Sequence, residues 1–388
     1  MDMDSRLKEH FDIVKASTLF KEYYSGIKHY TEALPVEKHT LRNILATRFD
    51  ITSEAKGIYL IRSGGSMAKP LVFPVDIEEN LYQRKLLSKE LVKYGMFTPQ
   101  TRALNLFSYN GMYRTAAIMD DILDCCNATT ISLGAVSEFD LIYNTAIQFG
   151  ANMIMATPSK LILVAQYLLD SSLEVSIQNI MYAGEFLLPS QAKLLKKAFN
   201  ANRIYTMYGS AETGIWGWAT YEDGQTVFET LNEVLVEVEN PDEEGNGLLV
   251  VTNLLRKRFP VFRYVMGDIG SISFEENKTL VHLKTREPKS FSIDSNSYFI
   301  NDFDWLYETV DRFQIQVSSD KPEHTEIKFL VVANSSETPK IPLIENRLKT
   351  IFDINPNTTF IKTKQVKEAD LYLNPTTSKT PAIADFRQ

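Results

Sequence analysis

The chain has 388 residues, 44% apolar and 23% charged, with a formal net charge of −8. That length and composition predict an ordinary globular protein of two or three domains with ample core. The acidic balance argues against a nucleic-acid surface, but leaves room for a local basic pocket that binds ATP or another anion.

The N-terminal MDMDSRLKEHFDIV is charged and lacks an apolar signal core, and no run of about 18 uncharged apolar residues occurs. No membrane span is expected, and the location is expected to be cytoplasmic. Cys125 and Cys126 are the two cysteines. Adjacent thiols rarely form a stable disulfide and two cannot build a zinc site, so they read as a reduced, mostly buried pair. The five histidines (His10, His29, His39, His282, His324) show no HExxH or HxH spacing, which argues against a His-centred metal or triad enzyme.

Residues 1–50 read as helices joined by turns, with LFKEYYSGIKHYTEAL at helical spacing. GIYLIRS (57–63) is a short strand running into the small-residue stretch SGGSMAKP. IEENLYQRKLLSKELVKYG is an amphipathic helix closed by Gly95. An alternation follows: strand TRALNLFSY, helix 111–126, strand NATTISLG, and helix SEFDLIYNTAIQFG with a Ser cap and a terminal Gly. Strand ANMIMAT, helix PSKLILVAQYLLD with Pro in its first turn, strand IQNIMYAGE, helix PSQAKLLKKAFN and strand NRIYTMYGS continue it. Such alternation predicts a layered α/β fold with a largely parallel sheet, whose ligands lie at the C-terminal ends of its strands. Beyond about residue 220, alternating strands around PDEEGNG predict an antiparallel β subdomain, and RFPVFRYVMGDIGSI adds a strand and a turn. From about 289 a β-β-α-β order of roughly 100 residues is large enough for a small separate domain.

Four segments carry candidate chemistry. RSGGSMAKPL (62–71) offers closely spaced hydroxyls and backbone N–H groups, the donors that phosphate oxygens require, although no GK[ST] follows and such a stretch also reads as a plain turn. YAGE (182–185) and MYGSAETG (207–214) each place small residues and an acid after a strand; each also reads as a simple βα turn or a solvated loop. FRYVMGD (262–268) sets Asp268 just after a turn, where a carboxylate can hold two vicinal hydroxyls, as on a ribose, or remain solvated.

In their order and spacing these segments resemble the adenylate-forming superfamily of acyl- and aryl-CoA synthetases and aryl acid adenylases. TREPKSFSIDSNSYFI (285–300) is similar to its hinge region, and TSKTPAIADFR (377–387) to the C-terminal tail of phenylacetate-CoA ligase-like members. The resemblance covers nearly the whole chain. It implies a large N-terminal domain, residues 1–287, and a small mobile C-terminal α+β lid, residues 288–388. It implies ATP and Mg2+ as cofactors, with Ser63, Gly64, Gly65 and Ser66 at the phosphates and Gly184, Glu185, Tyr208, Gly209 and Ser210 around the nucleotide. Asp268 is implied at the ribose, Arg286 at ribose or phosphate, and Glu212 at Mg2+. Lys379 becomes the mobile catalytic lysine. Ser108, Tyr109, Asn110, Gly111, Ala211 and Trp216 are implied around the acid, although Trp216 and Trp218 read equally well as core.

The implied reaction joins a carboxylic acid to AMP with release of pyrophosphate, then passes the acyl group to the thiol of coenzyme A or of a carrier-protein phosphopantetheine, with a biosynthetic carrier-protein pathway slightly preferred. Ser108 stands where amino-acid-activating relatives place an Asp, so the acid is expected to be aryl or medium-chain and to lack an α-amine. The chain departs from the family pattern at Met67, Ala68 and Leu71 in the phosphate loop and at Pro288 in the hinge, where proline fixes φ. These departures also fit a second reading, a homologue that binds nucleotide or acyl-adenylate with weak or lost ligase activity.

Overall fold

The computed structural model describes residues 3–54, 57–63, 71–222, 226–275, 278–286, 290–293, 296–308, 310, 312–321, 324–333, 341–352, 359–374 and 380–387. Helices α1 (Met3–Ala16), α2 (Lys38–Arg48) and the short α3 (Ile51–Glu54) lead into strands β1 (Ile58–Arg62) and β2 (Val72–Asp76), an antiparallel pair. The helix expected over residues 19–34 is instead a series of turns with one 3-10 turn at Tyr30–Glu32. Gly26, at φ +87, interrupts that segment. Helix α4 (Ile77–Tyr94) forms as its ends predict. The Asp76 side chain accepts the Glu79 N–H at its N-cap, and Gly95 closes it at φ 78 in the left-handed region.

From there strands and helices alternate: β3 (Arg102–Asn105), α5 (Thr115–Cys125), β4 (Thr129–Ser132), α6 (Phe139–Gln148), β5 (Met153–Ala156), α7 (Pro158–Asp170), β6 (Asn179–Ala183), α8 (Pro189–Phe199) and β7 (Arg203–Ser210). Pro158 opens α7 as expected, behind a Thr157 cap that accepts the Lys160 N–H. The cap expected at Ser137 is absent. Glu138 holds the N-cap position of α6 without a side-chain bond, and the Ser137 hydroxyl donates to the Leu133 carbonyl at 2.6 Å.

Antiparallel strands then follow: β8 (Gly214–Thr220), β9 (Val227–Thr230), β10 (Val234–Glu239), β11 (Gly247–Asn253), β12 (Val261–Glu275) and β13 (Lys278–Arg286). They continue the same hydrogen-bonded sheet, which has eleven strands in the order β10-β11-β12-β13-β9-β8-β7-β6-β5-β3-β4. The stretch from β4 to β7 is parallel, and from β7 to β10 every pairing is antiparallel.

The two-residue period of a strand explains the layers. In β5, Met153 and Met155 pack with α4 and α5 residues Leu91, Met119 and Ile122, whereas Ile154 and Ala156 join α6, α7 and α8 through Ile142, Leu161 and Leu195. Helices on both faces bury both sides of the inner parallel strands β5 and β6, which is why these read as unbroken apolar runs, whereas the edge strand β4 stays half-exposed. Trp216 and Trp218 are core residues, 0% and 2% exposed. Of the cysteines, Cys126 is buried as expected but Cys125 is exposed.

The last part of the chain has its own sheet and core. A hairpin of β14 (Ser290–Ile293) and β15 (Asn296–Phe299) precedes a 3-10 stretch over Ile300–Glu308. After it come β16 (Arg312–Lys321), β17 (His324–Val332), α9 (Ile341–Ile351), β18 (Thr359–Gln365) and β19 (Ile383–Asp385). Strand order is β18-β17-β16-β19, and Phe291, Phe303, Phe329, Leu348 and Phe352 pack at its centre. Among the described residues no helix is long and apolar enough to cross a membrane.

Burial of His10 in the N-terminal layer lowers its pKa from 6.5 to about 4. Its unfolded form therefore takes a proton first on acidification. The stability held by the neutral buried ring is complete above pH 6.5, falls as pH drops toward 4, and levels off below it. The loss amounts to about 3 kcal/mol. Urea unfolding of a His10→Leu variant between pH 7 and 4.5 should show a correspondingly flatter pH dependence; an unchanged slope counts against this assignment.

Candidate active site

One cavity of about 590 Å3 opens where β6, β7 and β12 meet α4 and the loop after β3. It gathers Ser63, Ser108, Gly184, Tyr208, Gly209, Ser210, Ala211, Glu212 and Asp268, segments up to 205 residues apart in sequence. Lys38, Arg62, Arg84, Arg114 and Arg256 line it against Glu37, Glu212 and Asp268. A cavity with surplus positive charge thus sits inside a chain of net charge −8, a combination suited to a polyanion.

The tight turn between β7 and β8 sets the centre of this site. Ser210 N donates to Thr213 Oγ1 and Thr213 N to Ser210 Oγ, both at 3.1 Å, so two hydroxyl residues close the turn reciprocally. A Cβ on Gly209 would collide with the Gly214 carbonyl. Gly214 has φ +71, and a Cβ there would lie 2.7 Å from the Arg256 guanidinium and the Gln83 amide. The back of the turn is held from α4 and β11. Gln83 Nε2 donates to the carbonyls of Thr213 (3.1 Å) and Ile215 (2.9 Å), and Asn253 Nδ2 donates to Gln83 Oε1 (3.1 Å) and the Thr213 carbonyl (2.7 Å).

Glu212, at the tip, is 2% exposed and its Oε1 has no hydrogen-bond partner. Tyr264, from β12, hydrogen-bonds to this carboxylate; burial first, and then the Glu212 charge, push the Tyr264 phenol far up. A buried carboxylate oxygen without a donor, on a residue that lines a cavity, fits a cation. Among the described residues no group of three His, Cys, Asp or Glu side chains could hold a metal by itself. Mg2+ commonly binds through one or two carboxylates plus substrate phosphates, and Glu212 matches that donor set.

Tyr208 and Asp268 are joined directly, Tyr208 Oη donating to Asp268 Oδ2 at 2.5 Å. Asp268 does not follow a turn as expected: it lies inside the long strand β12, beside Gly267 at φ +74, and pairs with Arg286 in backbone register. The Tyr208 ring is fixed by Trp216 (4.8 Å between centroids) and Phe228 (5.1 Å).

Several expected site residues stand elsewhere. Trp216 lies behind the turn, its indole N–H donating to Thr213 Oγ1 at 3.1 Å, and it supports the site from the core without lining it. Tyr109, Asn110 and Gly111 are exposed and outside the cavity wall, with Arg114 over the Tyr109 ring at 5.6 Å. Glu185 also lies off the cavity lining, and its carboxylate already accepts Ser159 N, Ser159 Oγ and Thr380 N (3.0, 3.0 and 2.9 Å). Gly64, Gly65, Ser66, Met67, Ala68, Pro288 and Lys379 lie outside the described residues, as does the Arg286 side chain.

The Glu185 contact bears on Lys379 through its neighbour. Thr380 N also donates to Ser159 Oγ (3.1 Å), its carbonyl accepts Arg312 (3.2 Å), and the Pro381 carbonyl accepts Gln314 (2.9 Å). The backbone just after Lys379 is therefore clamped between the start of α7 and strand β16.

The sequence reading also passed over Asn80, Gln83 and Arg84. All three are buried on α4 beside Leu87 and Leu91. The signal was present: spacing i, i+3, i+4, i+7, i+11 defines one face, and its first turn is polar where a core face is apolar. Arg256 gave no such signal, because it lies in a short connection after β11.

No protein-family model matches the sequence. The indoleacetate–lysine synthetase of Pseudomonas savastanoi is 26% identical over 217 residues, 54% of this chain. The matched stretch spans about half of that relative, 52% of its length. Among solved structures, 2-hydroxyisobutyryl-CoA ligase in its postadenylation state superposes at a TM-score of 0.71 with 14% identity, over 99% of this chain and 89% of that one. The fold is that of the adenylate-forming ligases. The same CoA ligase in its thioesterification state gives a TM-score of 0.63 at 14% identity over the same shares of both chains. ATP-bound MatB from Rhodopseudomonas palustris gives 0.54 at 14% identity, over 83% of this chain and 66% of that one. In this adenylate-forming fold, the antiparallel half supplies Asp268 and Tyr264, the parallel half supplies Gly184, and the β7–β8 turn between them supplies Glu212.

Removing the Glu185 carboxylate should free the tail. In a Glu185→Ala variant, hydrogen exchange at the Thr380 amide should quicken while amides of β16 and β17 stay protected. Unchanged protection at Thr380 contradicts the clamp.

Proposed function

We propose that the chain is an ATP-dependent acid–thiol ligase that joins a carboxylic acid to AMP, releases pyrophosphate, and passes the acyl group to the thiol of coenzyme A or a carrier-protein phosphopantetheine. The observation that carries this reading is the buried Glu212 carboxylate, held at the tip of a closed turn with one oxygen unpartnered, in a cavity of surplus positive charge.

In this reading Tyr208 and Gly184 border the adenine, and Asp268, held by the Tyr208 hydroxyl, accepts the ribose hydroxyls. Ser63 and the loop it opens, with Gly64, Gly65 and Ser66, present donors to the phosphates. Glu212 would hold Mg2+, which when bound would offset the repulsion between a carboxylate and a triphosphate and the charge that develops on the α-phosphate oxygens. Ser210, Ala211 and Ser108 border the acid, and the absence of an acidic side chain at Ser108 favours an aryl or medium-chain acid without an α-amine. Lys379 bridges the acid and the α-phosphate, and the clamp on Thr380 sets its approach. The division into residues 1–287 and a C-terminal lid of residues 288–388 belongs to this reading. Support comes from the separate core of the last hundred residues and from the better superposition on a postadenylation state than on a thioesterification state. For the acceptor, one named relative forms a CoA thioester and the other is named for an amine, lysine; the thiol route is the one proposed here.

ATP–pyrophosphate exchange with a panel of acids tests the reading. Exchange should require an acid and fall by roughly a hundredfold or more in Lys379→Ala and in Glu212→Gln. Tight nucleotide binding with no exchange for any acid would instead favour the nucleotide-binding homologue, to which Met67, Ala68 and Pro288 point.

A further inference from the structure

Behind the β7–β8 turn the cavity wall carries buried donors with nothing to donate to. Arg256 is 1% exposed; one guanidinium nitrogen donates to Asn80 Oδ1 at 2.8 Å, while its Nε and Nη1 have no partner. Arg84 is 3% exposed, ion-paired with Asp121 through Nη1 and in polar contact with the Tyr59 side chain, while its Nε and Nη2 make no hydrogen bond of good geometry. Asn80 Nδ2 is a further buried donor without an acceptor.

All three residues line the same cavity. Burial lowers both arginines, Arg256 to about 10, and the Arg84 charge lowers Arg256 further while Glu79 raises it. Glu79 lies near enough to raise Arg256; its Oε1 accepts the N–H groups of Lys257 and Arg258, and its Oε2 is a buried acceptor without a partner. Arg84 keeps Nε and Nη2 as one fork, Arg256 keeps separate N–H donors on Nε and Nη1 because its Nη2 serves Asn80, and the Asn80 amide adds a further N–H, so donors outnumber the buried acceptors beside them. Leaving such donors bare in a low-dielectric wall costs folding free energy. Arginine's planar fork matches the two oxygens of a carboxylate. These donors come from α4 and the connection after β11, different elements from those carrying Gly184, Tyr208 and Asp268.

We propose that Arg84 and Arg256, with Asn80, form an anion subsite for a second carboxylate on the acid substrate, so that the chain activates one end of a dicarboxylic acid while the other end is held by this pair. The inference rests on the ligase reading above and narrows its substrate class. Gln83, on the same helix face, is already engaged in holding the turn.

The wild-type protein supplies the first test. Matched pairs of acids of equal length, such as adipate against hexanoate and homophthalate against phenylacetate, are compared in ATP–pyrophosphate exchange and, without nucleotide, by calorimetric binding. The dicarboxylate of a pair should give the higher kcat/KM and the tighter binding. Arg84→Gln, checked for native melting, should raise the KM for the dicarboxylate roughly ten- to a hundredfold and leave the KM for ATP unchanged. Arg84→Lys should restore part of the loss. Exchange that favours the monocarboxylate overturns the subsite and leaves the ligase intact. A rise confined to the ATP KM overturns it too, assigning the arginines to phosphate. Absence of exchange with every acid removes the ligase reading; dicarboxylate binding that persists without nucleotide and weakens in Arg84→Gln would then still support the anion subsite.

Discussion

The site depends on a small buried polar network behind the turn at residues 210–214. A turn this tight leaves its carbonyls pointing into the protein, where each needs a donor. Gln83 and Asn253 both reach the Thr213 carbonyl, and Gln83 takes Ile215 as well, so a helix and a strand about 170 residues apart in sequence grip the same loop. Trp216, also from behind, donates its indole N–H to the Thr213 hydroxyl. With its backbone so held, the turn can carry Glu212 into a buried position with an oxygen left over. A loosely held turn would swing such a carboxylate out to water.

The same economy of parts runs through the sheet. The parallel half gives its strand ends to the cavity, as open α/β sheets do, and the antiparallel half brings Tyr264 and Asp268 across from β12. The Tyr208–Asp268 hydrogen bond spans these two halves. The C-terminal sheet joins through backbone and carboxylate contacts at Thr380, where Glu185 and Ser159 meet Arg312.

Much of this architecture was legible in the chain order of residues. The inner strands between 102 and 210 are short apolar runs, and their helices have clean periodicity, so local signals and tertiary packing agree. The segment 19–34 misled because its aromatic residues, Phe20 and Tyr24 among them, are spaced for a core that turns can also fill. Ser63, Gly184, Tyr208, Glu212 and Asp268 share one cavity because family spacing carries long-range information that periodicity lacks. Glu185 and Trp216 could not be placed from spacing, since the partner of each is set by packing: Thr380 from 195 residues away for one, a hydroxyl three residues back for the other. Tyr109 faces solvent for a similar reason, because the direction of a loop side chain is decided by neighbours such as Arg114.

In the ligase proposed above, the unpartnered Glu212 oxygen would be the protein's contribution to holding Mg2+ at the phosphates. Calorimetric titration of ATP, with and without Mg2+, into the wild-type protein and Glu212→Gln tests it directly. Mg2+ should tighten ATP binding to the wild type, and this gain should be largely lost in the variant, whose metal-free affinity is equal or better. An equal Mg2+ gain in both proteins would contradict it.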